Sequence, residues 1–162
     1  MSKILVFGNF SSGKSTFAKR LYKERGLAHL DLDTLAWLPT SPPQRKPLVE
    51  SQLAIEKFMS LYGTWVIEGC YADLLGIAAP YAAEVVFMNL PVAPCIENAK
   101  SRPWEPHNYP SKAEQDQNLA MLIDWISQYP TRGDVFSESA HKSLYKNFSG
   151  KKSIYTHNNS YS

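Results

Sequence analysis

Cysteine is nearly absent from this chain: Cys70 and Cys95 are the only two in 162 residues. Both lie in apolar surroundings without metal-ligand spacing. That argues against a disulfide-stapled scaffold and predicts two buried free thiols in a reducing compartment. An excess of one charge sign is missing too. The 17 basic and 15 acidic residues leave a net charge of +2, too even a balance to argue by itself for nucleic acid or a membrane surface. No run approaches the ~18 apolar residues of a membrane span. An apolar strand pattern starts at Lys3, leaving no room for a signal peptide, so a cytoplasmic protein is expected. Internal repeats and low-complexity tracts are lacking. His29, His107, His141 and His157 show no spacing for a triad or a metal, and none is assigned a role.

What is present is an ordinary globular composition, 44% apolar and 20% charged, expected to form one domain over residues 1–162. Its most informative segment is Gly8-Asn9-Phe10-Ser11-Ser12-Gly13-Lys14-Ser15, an unbroken G-x-x-x-x-G-K-S. The apolar run 3–7 precedes it, and Ser15 to Arg25 follows with Phe17 and Leu21 four apart. Strand, glycine loop and helix are the setting a phosphate-binding loop requires. Glycines let the backbone curl so that its N–H groups face phosphate oxygens, and the helix adds its positive end. Gly8, Asn9, Ser11, Ser12, Gly13, Lys14, Ser15 and Thr16 are thus expected to bind ATP. Lys14 would reach the β- and γ-phosphates, and the Ser15 hydroxyl would ligate Mg²⁺.

Apolar runs at 28–32, 64–68 and 84–90, and a weaker one at 153–156, read as further strands. They are near-continuous rather than alternating, as in a parallel sheet covered on both faces. Helical spacing joins Ile55, Phe58, Met59 and Tyr62, and again Leu119, Leu122, Ile123 and Ile126 in a helix expected over 113–129. Another helix opens at Leu90-Pro91-Val92. Alternating strands and helices predict a three-layer α/β domain. Proline-rich loops at 39–47 and 102–110 break the rhythm near the carboxyl side of the sheet, where ligands bind in open α/β folds. Asn158 to Ser162 are expected to fray.

Asp31 and Asp33 follow the second strand, with Leu32 between them pointing to the core. They suit an acceptor ligand, a general base or a magnesium partner; alternatively Asp33 caps a helix starting at Thr34. Glu68 closes the third strand, where it would hold a magnesium-bound water or an acceptor group, or is simply a polar strand end. Gly69 then permits a turn or close ligand approach. Arg102 and Arg132 stand in regions placed to close over the site. They read as charge-neutralising groups for a moving phosphate or as helix-end cations. Trp37, Tyr71, Trp104 and Tyr109 would wall an acceptor pocket or pack on their own loops. Lys142, Lys146, Lys151 and Lys152 look like a solvated helix face rather than a nucleic-acid stripe.

In these residues the chain resembles the adenylate-kinase-like and shikimate-kinase-like small P-loop kinases, closest to the branch known as DNA topology modulation proteins. The resemblance is carried by the loop Gly8–Ser15, by His29-Leu30-Asp31-Leu32-Asp33 with Trp37, by Trp65-Val66-Ile67-Glu68-Gly69-Cys70-Tyr71, and by Trp125-Ile126 with Tyr129 and Arg132. It implies a five-stranded parallel sheet of order 2-3-1-4-5 and a lid at about 102–132, with Arg102 and Arg132 as lid groups. Asp33 becomes the residue for acceptor binding or proton removal, with Asp31, Trp37, Gly69 and Tyr71 beside it, and Glu68 lies near magnesium. Glu68-Gly69-Cys70-Tyr71 stands in place of the Asp-Gly-Phe-Pro-Arg of adenylate kinases, which argues against AMP as acceptor. The expected function is an ATP- and Mg²⁺-dependent kinase of a small molecule, acting as a monomer or weak homodimer. The rivals are a regulatory protein that hydrolyses nucleotide slowly, and a nucleic-acid partner.

Overall fold

The computed structural model describes residues 2–40, 43–106 and 109–158. Residues 159–162 of the expected frayed tail, His107 and parts of both proline-rich loops lie outside them. Strand β1 (Lys3–Gly8) runs through the loop into helix α1 (Lys14–Arg25). After β2 (Ala28–Asp31) come the one-turn helix α2 (Asp33–Ala36), β3 (Trp37–Leu38), β4 (Gln44–Arg45) and α3 (Leu48–Leu61). Then follow β5 (Trp65–Gly69), α4 (Ala72–Ala78), β6 (Glu84–Met88), α5 (Val92–Lys100), α6 (Lys112–Ser127), α7 (Glu138–Asn147) and β7 (Lys151–Tyr155).

The main sheet has five parallel strands in the order β2-β5-β1-β6-β7. This replaces the expected 2-3-1-4-5, because β3 and β4 intervene in the chain. They pair antiparallel as a separate two-stranded sheet, Trp37 opposite Arg45 and Leu38 opposite Gln44. Part of the expected proline-rich loop is therefore a hairpin. Its strands are two residues long, too short for any periodicity to announce them.

Alternation along β1 sends Leu5 and Phe7 to one face, Ile4 and Val6 to the other. The first face packs with Leu32, Ile55, Trp65, Leu74 and Phe87 beneath α3, α4 and α7. The second packs with Phe17, Leu21, Cys95, Ala99 and Ile126 of α1, α5 and α6. Both cysteines are buried and free. Ser111 begins α6 with a reciprocal sequence signal, Ser-x-x-Glu, and its hydroxyl accepts from the Glu114 amide at 3.2 Å. Ser137 caps α7 in the same way through the Ala140 amide.

One expectation is corrected at the end of the chain. Lys142 and Lys146 lie on α7, but Lys151 and Lys152 belong to edge strand β7. Lys152 turns back onto the final carbonyls of α7, Tyr145 O and Lys146 O, where the helix dipole favours a cation. Among the described residues no helix is long and apolar enough to cross a membrane.

Candidate active site

The loop at the end of β1 is shaped by close approach. A Cβ on Gly8 would stand 2.3 Å from the carbonyl oxygen of Met88 on the neighbouring strand. Gly13, just before α1, takes φ 91°, a left-handed turn that glycine adopts without strain. Ser11 takes φ 56° without being glycine. Asn9 is buried; its amide donates to Ile126 O on α6 at 3.2 Å and its Oδ1 accepts from the Phe10 amide. That side chain ties the loop to α6. The Lys14 ammonium rests on Asn9 O at 2.6 Å, beside the Phe10 ring.

A cavity of about 640 Å³ opens along one side of the loop. Ser11, Gly13, Lys14, Ser15 and Thr16 form its floor, and Arg20, Asn98, Ser101, Arg102, Pro103 and Asn158 its walls. Asn98, Ser101 and Arg102 follow one another at i, i+3 and i+4 along the end of α5. That polar stripe was readable as a pattern, but Asn98 was missed. Asn158 was expected in a frayed tail; instead its amide donates to Ser12 O at 3.0 Å and its Oδ1 accepts from Asn98 at 2.9 Å.

The acidic residues lie at the ends of β2 and β5, which pair with Asp31 opposite Glu68. Glu68 is 2% exposed and its Oε2 meets His29 Nε2 at 2.9 Å. His29 thus partners the one acid that the sequence placed nearest to magnesium, through a register that spacing does not reveal. The helix-capping alternative for Asp33 is overturned: Asp33 is the first residue of α2, and Asp31 Oδ1 accepts its amide at 2.9 Å. Burial, with Glu68 and Asp33 close by, pushes the Asp31 carboxyl up to about 6. Asp33 is exposed and accepts a hydrogen bond from the Tyr71 hydroxyl, which itself accepts from Trp37 Nε1 at 2.8 Å. Burial and the Asp33 charge push the Tyr71 hydroxyl far above its usual range, so it stays a donor.

Gly69 closes β5 with its bare face turned to Leu32. A Cβ there would lie 2.9 Å from Leu32 Cβ, so the glycine admits the buried Leu32. Trp37 and Tyr71 pack with Phe136, which the sequence reading passed over, and Arg45 lies over all three rings while pairing with Asp73 at 3.1 Å. The two expected lid arginines part company. Arg102 borders the cavity, whereas Arg132 is absent from its lining and stacks 3.9 Å above Trp125. Arg132 is held in a fork by Asp134 at 2.8 and 2.6 Å. Phe10, Trp125 and Phe136 contact one another in sequence, an aromatic bridge from the loop to the Asp33 side. Trp104 is exposed and donates to Tyr109 O on its own loop, whereas the Tyr109 hydroxyl accepts from Asn118 Nδ2 on α6 at 2.8 Å.

No family model matches the chain, and no curated protein does. Solved structures do match. A protein described as a sugar kinase, from a Janibacter species, aligns over 96% of this chain and 85% of its own, with a TM-score of 0.54 and 11% identity. An uncharacterized protein from Eubacterium ventriosum aligns over 97% of this chain and 91% of its own, at TM-score 0.48 and 14% identity. At such identity the first likeness is one of fold alone.

Proposed function

We propose that this protein is an ATP- and Mg²⁺-dependent phosphotransferase that moves the γ-phosphate to a small-molecule acceptor. The observation that carries the reading is the G-x-x-x-x-G-K-S loop, at a β1–α1 junction, opening onto the cavity of about 640 Å³ beside Lys14 and Ser15. The residues present fit a polyphosphate. The buried Ser11 and Ser12 hydroxyls have no hydrogen-bond partner among the described residues. Lys14 and Arg102 put positive charge on the cavity wall. The kinase-like fold, and the sugar kinase that shares it, support the same class.

Mg-ATP supplies the transferable phosphoryl group and part of its charge neutralisation. The chain's own residues supply position and electrostatics. Lys14 would hold the phosphates, and Ser15 and Glu68 would hold the metal shell. Asp33, steadied by the Tyr71 hydroxyl, orients the acceptor hydroxyl or takes its proton. Asp31, Trp37, Tyr71 and the Gly69 turn shape the acceptor side. Arg102 would neutralise charge on the cavity side; Arg132, the other proposed lid group, would have to leave Asp134 to do so.

The test is ADP release from Mg-ATP across nucleoside monophosphates, nucleosides, sugars and hydroxy acids, with Lys14→Ala alongside. One acceptor is expected to raise turnover about a hundredfold over water, and Lys14→Ala to abolish that gain. A flat panel with clear ATP binding replaces this reading with a regulatory nucleotide-binding protein.

A further inference from the structure

Ser11 holds a left-handed backbone, φ 56°, and is the single non-glycine residue to do so among the described residues. A β-carbon makes that conformation unfavourable, and such strain persists only where the surroundings over-determine it. Here the surroundings are two amides from elsewhere in the chain. Asn98 Nδ2, on α5, donates to the carbonyl oxygen of Ser11 itself at 2.8 Å, and its second hydrogen goes to Asn158 Oδ1 at 2.9 Å. Asn158 Nδ2 then donates to the next carbonyl, Ser12 O, at 3.0 Å.

We infer that Asn98 is a positioning residue for the nucleotide loop, holding Ser11 in its strained conformation so that the loop is set for phosphate before phosphate arrives. In a planar trans peptide the C=O and N–H point in opposite directions. By fixing Ser11 O and Ser12 O from outside, Asn98 and Asn158 therefore aim the Ser12 and Gly13 amides away from themselves. The Ser12 amide accordingly meets Asn9 O at 3.3 Å, across the loop. Without the Asn98 donor, Ser11 relaxes to negative φ and the loop must be rebuilt each time nucleotide binds. This rests on the loop being the nucleotide site.

The strain belongs to the β-carbon of Ser11, so its removal supplies the test. Mg-ATP Kd is measured by calorimetry on the full chain for wild type, Asn98→Leu and Asn98→Ala, each also in the Ser11→Gly background. Leucine keeps the volume of asparagine without its donor, and alanine serves if leucine does not fold. In the Ser11 chain the Asn98 substitution is expected to weaken binding about tenfold, the factor that strain of this kind commands. In the Ser11→Gly background the same substitution is expected to cost less than about threefold, since glycine takes this conformation freely. A merely structural role for Asn98 predicts no such relief, because glycine only loosens the fold. A direct contact between Asn98 and nucleotide predicts none either. Equal loss in both backgrounds, or no loss at all, overturns the inference while leaving the nucleotide site intact. Failure of the wild-type chain to bind Mg-ATP overturns both.

Discussion

At the level of single residues, Asp31 and His141 pull the stability of the chain in opposite directions. Asp31 titrates near 6 in the fold against 3.8 in an open chain. The native state therefore holds that proton more tightly, and the resulting stability is lost as pH rises through about 6. His141 is fully buried, lies against Phe7 and Phe87, accepts from the Tyr129 hydroxyl on Nδ1 and donates from Nε2 to Cys70 O. Burial lowers it to about 4 from 6.5. Its neutral form is favoured in the fold, so that stability is present above 6.5 and is lost as pH falls toward 4, by about 3 kcal/mol over the whole range. Asp31→Asn preserves an acceptor for the Asp33 amide and removes the charge. Discounted for solvent screening, it is expected to raise Tm at pH 8 by at least about 2 °C, the shift given by ~1 kcal/mol in a domain of this size. The gain should vanish near pH 3.5, and the variant should lose stability more steeply than wild type between pH 6.5 and 4. Urea unfolding across this range reads both. A constant gain at every pH would show that the Asp31 charge is not its source.

Among elements, the join of β2, β5 and α2 sets the two carboxylates of the proposed acceptor side. Leu32 stands between Asp31 and Asp33 and is seated against the bare face of Gly69. Gly69→Ala would drive a methyl group to 2.9 Å from Leu32 Cβ and 3.0 Å from its Cδ1. Leu32 has no exposed surface through which to yield. The substitution is expected to cost about 1–3 kcal/mol and to displace both carboxylates together. Phosphate transfer should fall well below wild type while Mg-ATP Kd changes little; a parallel loss of both would place the damage in the nucleotide loop instead. The elements themselves were unevenly legible. Residues 3–15 declared strand and loop because the G-x-x-x-x-G-K-S signature is written locally, in one contiguous run. The strands of the main sheet showed as apolar runs because both faces are covered. The hairpin of Trp37 and Arg45 did not show, being held by one antiparallel pairing and by rings from Tyr71 and Phe136 far along the chain. The partners of predicted residues were hidden for the same reason. His29 meets Glu68 only through the β2–β5 register, and Asn98 meets Ser11 across 87 positions. Asp33 was visible as an acid after a strand, but its link to Tyr71 was not.

For the molecule as a whole, the loop is a place where distant parts of the chain converge: α5 through Asn98, α6 through Ile126 and the segment after β7 through Asn158. A ligand that engages the loop should therefore stabilise the entire fold rather than a local turn. Mg-ATP at about a hundred times its Kd is expected to add ~2.7 kcal/mol and to raise Tm by roughly 5–10 °C. Lys14→Ala should remove most of that shift while leaving the unliganded Tm close to wild type, since the Lys14 ammonium is only half-buried and bonds a single carbonyl. A thermal scan with and without nucleotide reads both values. An undiminished shift in the variant would mean that nucleotide stabilises the chain from another site.

The bond from Asn158 to Ser12 spans 146 positions. The G-x-x-x-x-G-K-S run is made before the segment that carries Asn158, so one of the two amides that bond its carbonyls is added only after β7 has been made. A nascent chain thus carries the motif before the set of contacts around it is complete. A product truncated before residue 158 would keep the signature while losing part of the loop's geometry.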